Sequence, residues 1–387
     1  MSAQQEKDKY RIAVIAGDGI GPEVIEEARH MTEAAASLEG VSIEWMDYPF
    51  GAAYYLEKNE ILPESALAEM GKADALLLGA IGSPQVKPGI LERGILLKLR
   101  FVFDQYINLR PAKSLPNVPT PVPLGGKTMD SVVIRENTED LYMGLGGIYG
   151  GGCENSFETS LDLERGGYSL RGKLSLSVSP DMPFAVQAAL NTRHGVERIT
   201  RYACRTAIGR GERDKERITI VTKSNAAPAL YGFFEDTARS VIEEKYPSLK
   251  CEAVNVDALC YHLVRDPLAY GVLLCPNLFG DIVSDLQAGL AGGMGTAAGA
   301  NIGDGLSMFE PVHGSAPDIA GTGHANPIAA ILSGALLLRH LGLKKSADAV
   351  EKAVNKYLES SPKNELPFEF GGGFSCREVG GAILKRI

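Results

Sequence analysis

Asn277-Leu278-Phe279-Gly280-Asp281-Ile282-Val283-Ser284-Asp285 is the stretch on which the reading of this chain turns. Two carboxylates stand four residues apart just inside a predicted helix start. Positions i and i+4 share a helix face, so Asp281 and Asp285 repel each other unless a positive charge lies between them. Asp257 precedes them in Val256-Asp257-Ala258, read here as the end of a strand. Three carboxylates without a thiol or imidazole cluster suit a hard cation, Mg2+ or Mn2+. The competing explanation is that acids favour a helix start because of its dipole.

Bulk properties narrow the classes. A chain of 387 residues is long for one core and sufficient for two domains. Hydrophobic content of 45% and charged content of 22% describe an ordinary globular protein. The net charge of -9 argues against nucleic acid or a membrane surface as partner. It leaves room for a small anionic substrate held by a local arginine cluster. Cys153, Cys204, Cys251, Cys260, Cys275 and Cys376 are scattered, with no C-x-x-C pair, as expected in a reducing cytoplasm. The polar, charged first ten residues do not read as a signal peptide. The most apolar stretch, Ile328 to Leu338, is too short to span a bilayer.

Along the chain, Arg11 to Ala16 reads as a buried strand. Gly17-Asp18-Gly19-Ile20-Gly21-Pro22 then turns it into a helix striped by Val24, Ile25, Ala28, Met31 and Ala35. Further strands are expected at Ile43–Met46, Ala75–Leu78, Val132–Ile134, Ile218–Val221, Cys251–Val256 and Val272–Leu274. Helices are expected at 227–244, 278–291, 327–341 and 346–358. The alternation predicts an α/β fold. Pro111 to Pro123 reads as an irregular connection, and Gly144 to Gly172 as loops and β-arms outside the core, a candidate dimer contact. The turn at Gly17 has G-x-G-x-G spacing with an acid inside it, so it is a weak dinucleotide signal.

Several side chains carry chemistry of their own. Arg100, Arg110 and Arg135 are forks for carboxylates, although any one of them alone reads as a surface ion pair. Lys223, in Thr222-Lys223-Ser224-Asn225, sits at the C-terminal end of an expected strand, where α/β proteins place ligands. Three arginines, Tyr142, Lys223 and three aspartates together describe a site for a metal-chelated di-acid. His313-Gly314-Ser315-Ala316-Pro317-Asp318 offers backbone amides and an acid that suits a ribose hydroxyl and repels a 2′-phosphate, favouring NAD over NADP. Asn326 precedes Pro327, and helix capping accounts for it equally well. Of Arg193, Arg198, Arg201, Arg205 and Arg210, most fall on one expected helix, 195–208, and read as a solvated basic face.

In this order, four segments resemble the β-decarboxylating dehydrogenases, the isocitrate/isopropylmalate dehydrogenase family. They are Asn108-Leu109-Arg110-Pro111, Arg135-Glu136-Asn137-Thr138-Glu139, Asn277 to Asp285 and Glu310-Pro311-Val312-His313-Gly314-Ser315-Ala316-Pro317-Asp318. The resemblance runs from Gly17 to about Gly373. It implies an isopropylmalate dehydrogenase-like fold, not a Rossmann fold, with two α/β domains around a central cleft. One domain would comprise 1–105 plus 292–387 and hold the nucleotide; the other, 106–291, would hold the dimer interface and arm. It also implies a homodimer with shared sites, Lys223 and Asp257 reaching into the partner's site while Asp281 and Asp285 serve their own. Metal ligands would be Asp257, Asp281 and Asp285. Lys223 would take the hydroxyl proton and Tyr142 would protonate carbon. Arg100, Arg110, Arg135 and Asn225 would hold substrate, and Glu310, His313, Gly314, Ser315, Ala316, Asp318 and Asn326 would hold NAD.

The helix before Arg100 bears on the substrate. Arg93, Leu96, Leu97 and Arg100 are expected on one face, which in this family meets the group on carbon 3. Leu96 and Leu97 resemble the apolar pocket of isopropylmalate enzymes. Asp104-Gln105-Tyr106 and the early Gly94 resemble the D-malate and tartrate branch. Arg93 is either an exposed charge or a contact to an extra anion. The resulting expectation is NAD- and Mg2+- or Mn2+-dependent oxidative decarboxylation of a (2R)-malate, 3-isopropylmalate-like first. D-malate or tartrate follows, then isocitrate or another malate with an anionic side group. A non-catalytic regulatory subunit is the reading from another class.

Overall fold

The computed structural model describes residues 7–149, 156–165, 168–177, 182–211 and 217–387. In chain order the elements are β1 (Lys9–Gly17), α1 (Gly21–Ser37), β2 (Ser42–Tyr48), α2 (Ala52–Lys58), α3 (Glu64–Met70), β3 (Ala75–Ala80), α4 (Lys98–Val102), β4 (Ile107–Lys113), β5 (Asp130–Glu136), β6 (Gly146–Tyr149), β7 (Ser156–Arg165), β8 (Tyr168–Ser177) and β9 (Phe184–Gln187). They continue with α5 (Arg193–Arg210), β10 (Arg217–Thr222), α6 (Phe233–Lys245), β11 (Lys250–Asn255), α7 (Val256–Arg265), β12 (Val272–Cys275), α8 (Asn277–Ala291), β13 (Ala298–Ile302), β14 (Met308–Pro311), α9 (Ile328–His340), α10 (Lys344–Ser360) and α11 (Cys376–Leu384).

The chain divides into two compact units. The first comprises the described residues of Met1–Val132, Leu263–Ala269 and Ser284–Ile387. Its strands run in the order β4-β13-β14-β3-β1-β2. β1 pairs in parallel with β2 and β3, and β13 pairs antiparallel with β14 and β4. Successive side chains of β1 point to opposite faces, and both faces are covered. Ile12 and Val14 join Val24, Ile25 and Met31 of α1, Ile331 of α9 and Val354 of α10. Ala13 and Ile15 join Leu67, Met70, Leu76, Leu78 and Ile95 on the other face. Burying each large aliphatic here contributes about 1.5–3 kcal/mol, and the predicted stripe of α1 is buried throughout.

The second unit comprises the described residues of Val133–His262 and Tyr270–Val283. Here β10 pairs in parallel with β11 and β12, in the order β11-β10-β12-β5. α5 and α6 supply Val196, Ile199, Ala203, Phe234 and Ile242 to its interior. β7 and β8 form a two-stranded antiparallel arm, and β6 pairs antiparallel with β9. The expected β-arms of 144–172 are therefore present, although 150–155 and 166–167 lie outside the described residues.

Some local expectations are corrected. Asp257 is not at a strand end: β11 stops at Asn255 and Asp257 lies in the first turn of α7. Arg198 does not belong to a solvated basic face. It is buried and donates from Nη2 to the Thr138 hydroxyl at 3.1 Å. Pro111 lies inside strand β4 rather than in an irregular connection. Residues Glu92–Leu97 form a π-helical turn ahead of α4. Its wider spacing breaks the i, i+3, i+4 register assumed for Arg93, Leu96, Leu97 and Arg100.

Candidate active site

In the second unit, β5 ends on Arg135-Glu136. The Arg135 side chain is 1% exposed. Its Nε donates to the backbone oxygen (2.9 Å) and side-chain oxygen (3.0 Å) of Asn277, which opens α8. Its Nη1 donates to Asp281 Oδ1 at 2.5 Å, which puts a positive charge beside one of the two α8 acids. Gly280 leaves room for the arginine stem, since a Cβ there would lie 2.5 Å from Arg135 Cγ. The Tyr142 hydroxyl donates to Asp281 Oδ2, and the Arg135 guanidinium sits 5.0 Å from the Tyr142 ring centre. Nη2 of Arg135 is buried without a hydrogen-bond partner among the described residues. A buried cationic N–H of this kind is a position for an anion.

Lys223 follows β10 and donates to Asp257 Oδ1 at 2.7 Å. That hydrogen bond is the main cause holding the Asp257 carboxyl below its ordinary value. Asn225 is exposed in the turn after Lys223. Asp285 is exposed one turn beyond Asp281. Among the described residues, no three His, Cys, Asp or Glu side chains come close enough to hold a metal. One chain therefore brings Asp281 to Tyr142 and Asp257 to Lys223, but does not bring Asp257 into a cluster with the α8 acids. The donors themselves are accessible carboxylate oxygens, which fit Mg2+ or Mn2+ in chemistry.

Beneath Arg135 lies a buried acidic layer. Glu136 accepts from the Thr138 amide (2.9 Å) and hydroxyl (2.8 Å) and the Glu139 amide (2.8 Å). Glu139 accepts from the Thr192 amide and hydroxyl at the start of α5. Burial, then the charge of Glu139, pushes the Glu136 carboxyl up to about 7 against the pull of its donors. A carboxyl raised in the folded chain stabilises it fully below the unfolded value of 4.5. That stability is lost as the pH rises through the folded value. Stability should thus fall between pH 4.5 and 7, by on the order of 3 kcal/mol. Glu136→Gln should flatten the dependence, read from urea midpoints at pH 5 and 7.5. An unchanged slope in the variant would refute the assignment.

In the first unit, a cavity of about 140 Å³ is lined by Leu96, Arg100, Arg110, Glu92, Glu310 and His313, with Ile81, Pro311 and Val312 among its apolar walls. Arg100 Nη2 donates to Glu310 Oε1 at 3.3 Å, and Arg110 Nη2 lies 3.8 Å from the same oxygen. Asn301 donates to that oxygen at 2.8 Å, Asn108 donates to Asn301 at 2.9 Å, and Arg110 Nε donates to Asn108 at 2.8 Å. Two buried guanidinium groups share the Glu310 carboxylate, and Glu92 adds a second carboxylate to the cavity wall. Glu310 is thus engaged with the arginines, whereas the sequence grouped it with the cofactor loop. Leu96 lines the cavity; Leu97 and Arg93 do not.

The His313–Asp318 loop is braced from the Gly17 turn. Ile20 N–H donates to Ser315 O at 2.9 Å, and a Cβ on Gly19 would lie 1.9 Å from that oxygen. The Asp18 carboxylate accepts from Ala52 N–H (2.7 Å) and Gly82 N–H (2.9 Å). The Gly-rich turn therefore positions loops. Burial keeps the His313 imidazole below its ordinary value, hence neutral at pH 7. Gly314 and Asp318 are exposed, and Ala316 takes a positive φ of 40°. Asn326, one residue before the Pro327 N-cap of α9, accepts from Ile328 N–H at 3.1 Å and donates to Glu369 Oε2 at 2.8 Å. Sequence reasoning missed Glu92, Asp18 and Glu369 as parts of these sites. A clue for Asp18 was an acid inside a glycine turn.

Comparison with known proteins is consistent across sequence and structure. The family model described as isocitrate/isopropylmalate dehydrogenase matches residues 11–383. A 3-isopropylmalate dehydrogenase of Corynebacterium kroppenstedtii is 43% identical over 381 residues, 97% of this chain and 99% of that one. That of Clavibacter sepedonicus is 42% identical over 383 residues, 97% of each chain. Among solved structures, an isocitrate dehydrogenase from Methylococcus capsulatus matches with TM-score 0.80 at 32% identity, covering 97% of this chain and 99% of that one. A β-decarboxylating dehydrogenase from Thermococcus kodakarensis matches with TM-score 0.74 at 36% identity, covering 97% and 96%. Fold and relatives together define an oxidoreductase, a β-decarboxylating dehydrogenase. The chain belongs to the isocitrate/isopropylmalate dehydrogenase family and has the fold of that family.

Proposed function

We propose that this enzyme oxidatively decarboxylates 3-isopropylmalate with NAD+ as hydride acceptor and Mg2+ or Mn2+ as cofactor. The observation that carries the reading is the small cavity in which Leu96, Ile81 and Val312 stand beside the Glu310-tethered Arg100 and Arg110. Apolar walls favour a branched alkyl group on carbon 3, and the two forks favour carboxylates. The names of the curated relatives point the same way. Asp104-Gln105-Tyr106, which leaned toward D-malate, serves packing: Gln105 is fully buried and donates to Leu306 O at 2.9 Å.

The roles are those the family resemblance implies, and the chemistry of each side chain fits them. Arg100, Arg110 and Arg135 orient the two carboxylates, Arg135 through its unpartnered Nη2. Lys223 accepts the proton of the 2-hydroxyl as hydride leaves carbon 2. Tyr142 returns a proton to carbon 3 once the β-carboxylate has departed as CO2. Asp257, Asp281 and Asp285 would hold the metal, which would supply Lewis acidity at the hydroxyl and charge stabilisation as CO2 leaves. Asp318 disfavours a 2′-phosphate and so supports NAD over NADP.

The working unit in this reading is a homodimer. Tyr261 and Val264 on α7 and Ile282 on α8 are large apolar side chains left 64%, 49% and 52% exposed. Exposed apolar side chains on the helices that carry Asp257 and Asp281 suit a partner surface. Among the described residues no helix is long and apolar enough to cross a membrane, and the free cysteines fit a cytoplasmic setting.

The direct test is NADH formation at 340 nm with NAD+ and Mn2+. 3-isopropylmalate, D-malate, tartrate, isocitrate and homoisocitrate are compared with and without EDTA. The expected result is fastest turnover of 3-isopropylmalate, abolished by EDTA. Faster turnover of D-malate or isocitrate overturns the substrate assignment. Silence on all five from folded protein favours a regulatory subunit.

A further inference from the structure

Asp140 is fully buried at the head of a tight turn, Asp140–Met143, that carries Tyr142. Its φ is +65°, a conformation that L side chains other than Asn and Asp rarely adopt. Its backbone N–H donates to Leu190 O at 2.8 Å. Its carboxylate reaches the opposite way. Oδ2 accepts from Leu278 N–H at 3.0 Å, in the first turn of α8, and Oδ1 faces the Tyr231 hydroxyl at 3.4 Å. Immediately before it, Glu139 O accepts from Asn277 Nδ2 at 3.0 Å. Two consecutive residues thus clamp the start of α8 at the point where the chain turns to present Tyr142. Asp281 lies one turn into α8 and meets Tyr142 directly.

We propose that Asp140 is a positioning residue that fixes the spacing between Tyr142 and Asp281 by holding a left-handed turn and the α8 N-terminus with one side chain. Its buried carboxylate is taken up by Leu278 and Tyr231. Resting on the function proposed above, the assignment gives a buried, conformationally costly acid a purpose. Sparsely populated backbone conformations persist where surrounding contacts over-determine them, and they cluster at functional sites. Glycine would adopt the turn without strain but could not reach Leu278. Asparagine tolerates the turn, and its amide oxygen can still accept from Leu278 N–H. The Tyr231 hydroxyl can then rotate to accept from the new amide.

The test uses the intact protein and the variants Asp140→Gly and Asp140→Asn. The readouts are kcat, KM for NAD+, and Mn2+ affinity by electron paramagnetic resonance of the unbound ion. Asp140→Gly should lose about 10- to 100-fold in kcat and weaken Mn2+ binding comparably, with KM for NAD+ nearly unchanged, because only the Tyr142–Asp281 geometry has moved. Asp140→Asn should keep near wild-type values and a slow-exchanging Leu278 amide. Wild-type kcat and Mn2+ affinity in Asp140→Gly would overturn the proposal. So would an Asp140→Asn variant as impaired as Asp140→Gly, a comparison that holds even if the glycine variant folds poorly. A wild-type protein that neither binds Mn2+ nor forms NADH would overturn the proposed function, and this assignment with it.

Discussion

Arg135→Met is expected to lower kcat/KM by about three to four orders of magnitude. Charge-assisted hydrogen bonds are worth about 1.5–3 kcal/mol each. The free Nη2 and its neighbour offer two to a substrate carboxylate, and each 1.36 kcal/mol is tenfold in rate. The variant also removes the group that sets Asp281. The stability cost should be smaller, because the ion pair is not wholly buried: Asp281 is 41% exposed and water can solvate the carboxylate left behind. The larger structural loss is at Asn277, whose two oxygens lose the Nε donor in a buried place. An unsatisfied buried acceptor costs about 1–3 kcal/mol. Activity should therefore collapse while the protein still melts cooperatively a few degrees lower. Arg135→Lys should recover stability better than activity, since an ammonium cannot bridge Asn277, Asp281 and substrate in one plane. A kcat/KM within tenfold of wild type in Arg135→Met would remove Arg135 from the site.

The elements that were legible share one property: their signal is local. β1 and β3 are short apolar runs covered on both faces, and α1 carries its stripe within seventeen residues. The Asp281–Asp285 spacing is likewise a local fact, and Arg135 supplies a counter-charge to Asp281. Partners distant in sequence were legible only as residue types. Glu310 joins Arg100 across 210 positions, and Asn277 joins Glu139 across 138. Nothing near Glu310 marks it as an arginine tether as well as a member of the expected nucleotide loop. The π-turn at Glu92–Leu97 defeated the helical wheel for a different reason. A single residue of extra spacing rotates every later side chain, so Leu96 meets the cavity and Leu97 does not. Arg198 looked solvated because its charge was counted and its depth was not visible. Asp140 was hidden because an aspartate with positive φ has no sequence mark, unlike glycine.

Lys223→Ala and Tyr142→Phe proteins, each expected to be nearly inactive alone, should regain activity when their subunits are exchanged. Loss of a positioned acid or base alone costs about 100- to 10,000-fold. If each site takes Lys223 from one subunit and Tyr142 from the other, a mixed dimer contains one doubly defective site and one intact site. Random exchange makes about half the dimers mixed, so about a quarter of wild-type activity should return. Sites built within single chains would show no recovery, because neither chain then holds a complete set. The pairing of side chains motivates the experiment. Lys223 is bonded to Asp257, Tyr142 to Asp281, and among the described residues no three acids gather in one chain. A shared site reconciles these facts with a three-carboxylate metal. In that reading Asp257 would arrive with the partner's Lys223 and meet Asp281 and Asp285 only in the dimer. Dissociation should then release Mn2+ and end turnover at the same protein concentration, a coincidence that a complete single-chain site would not produce.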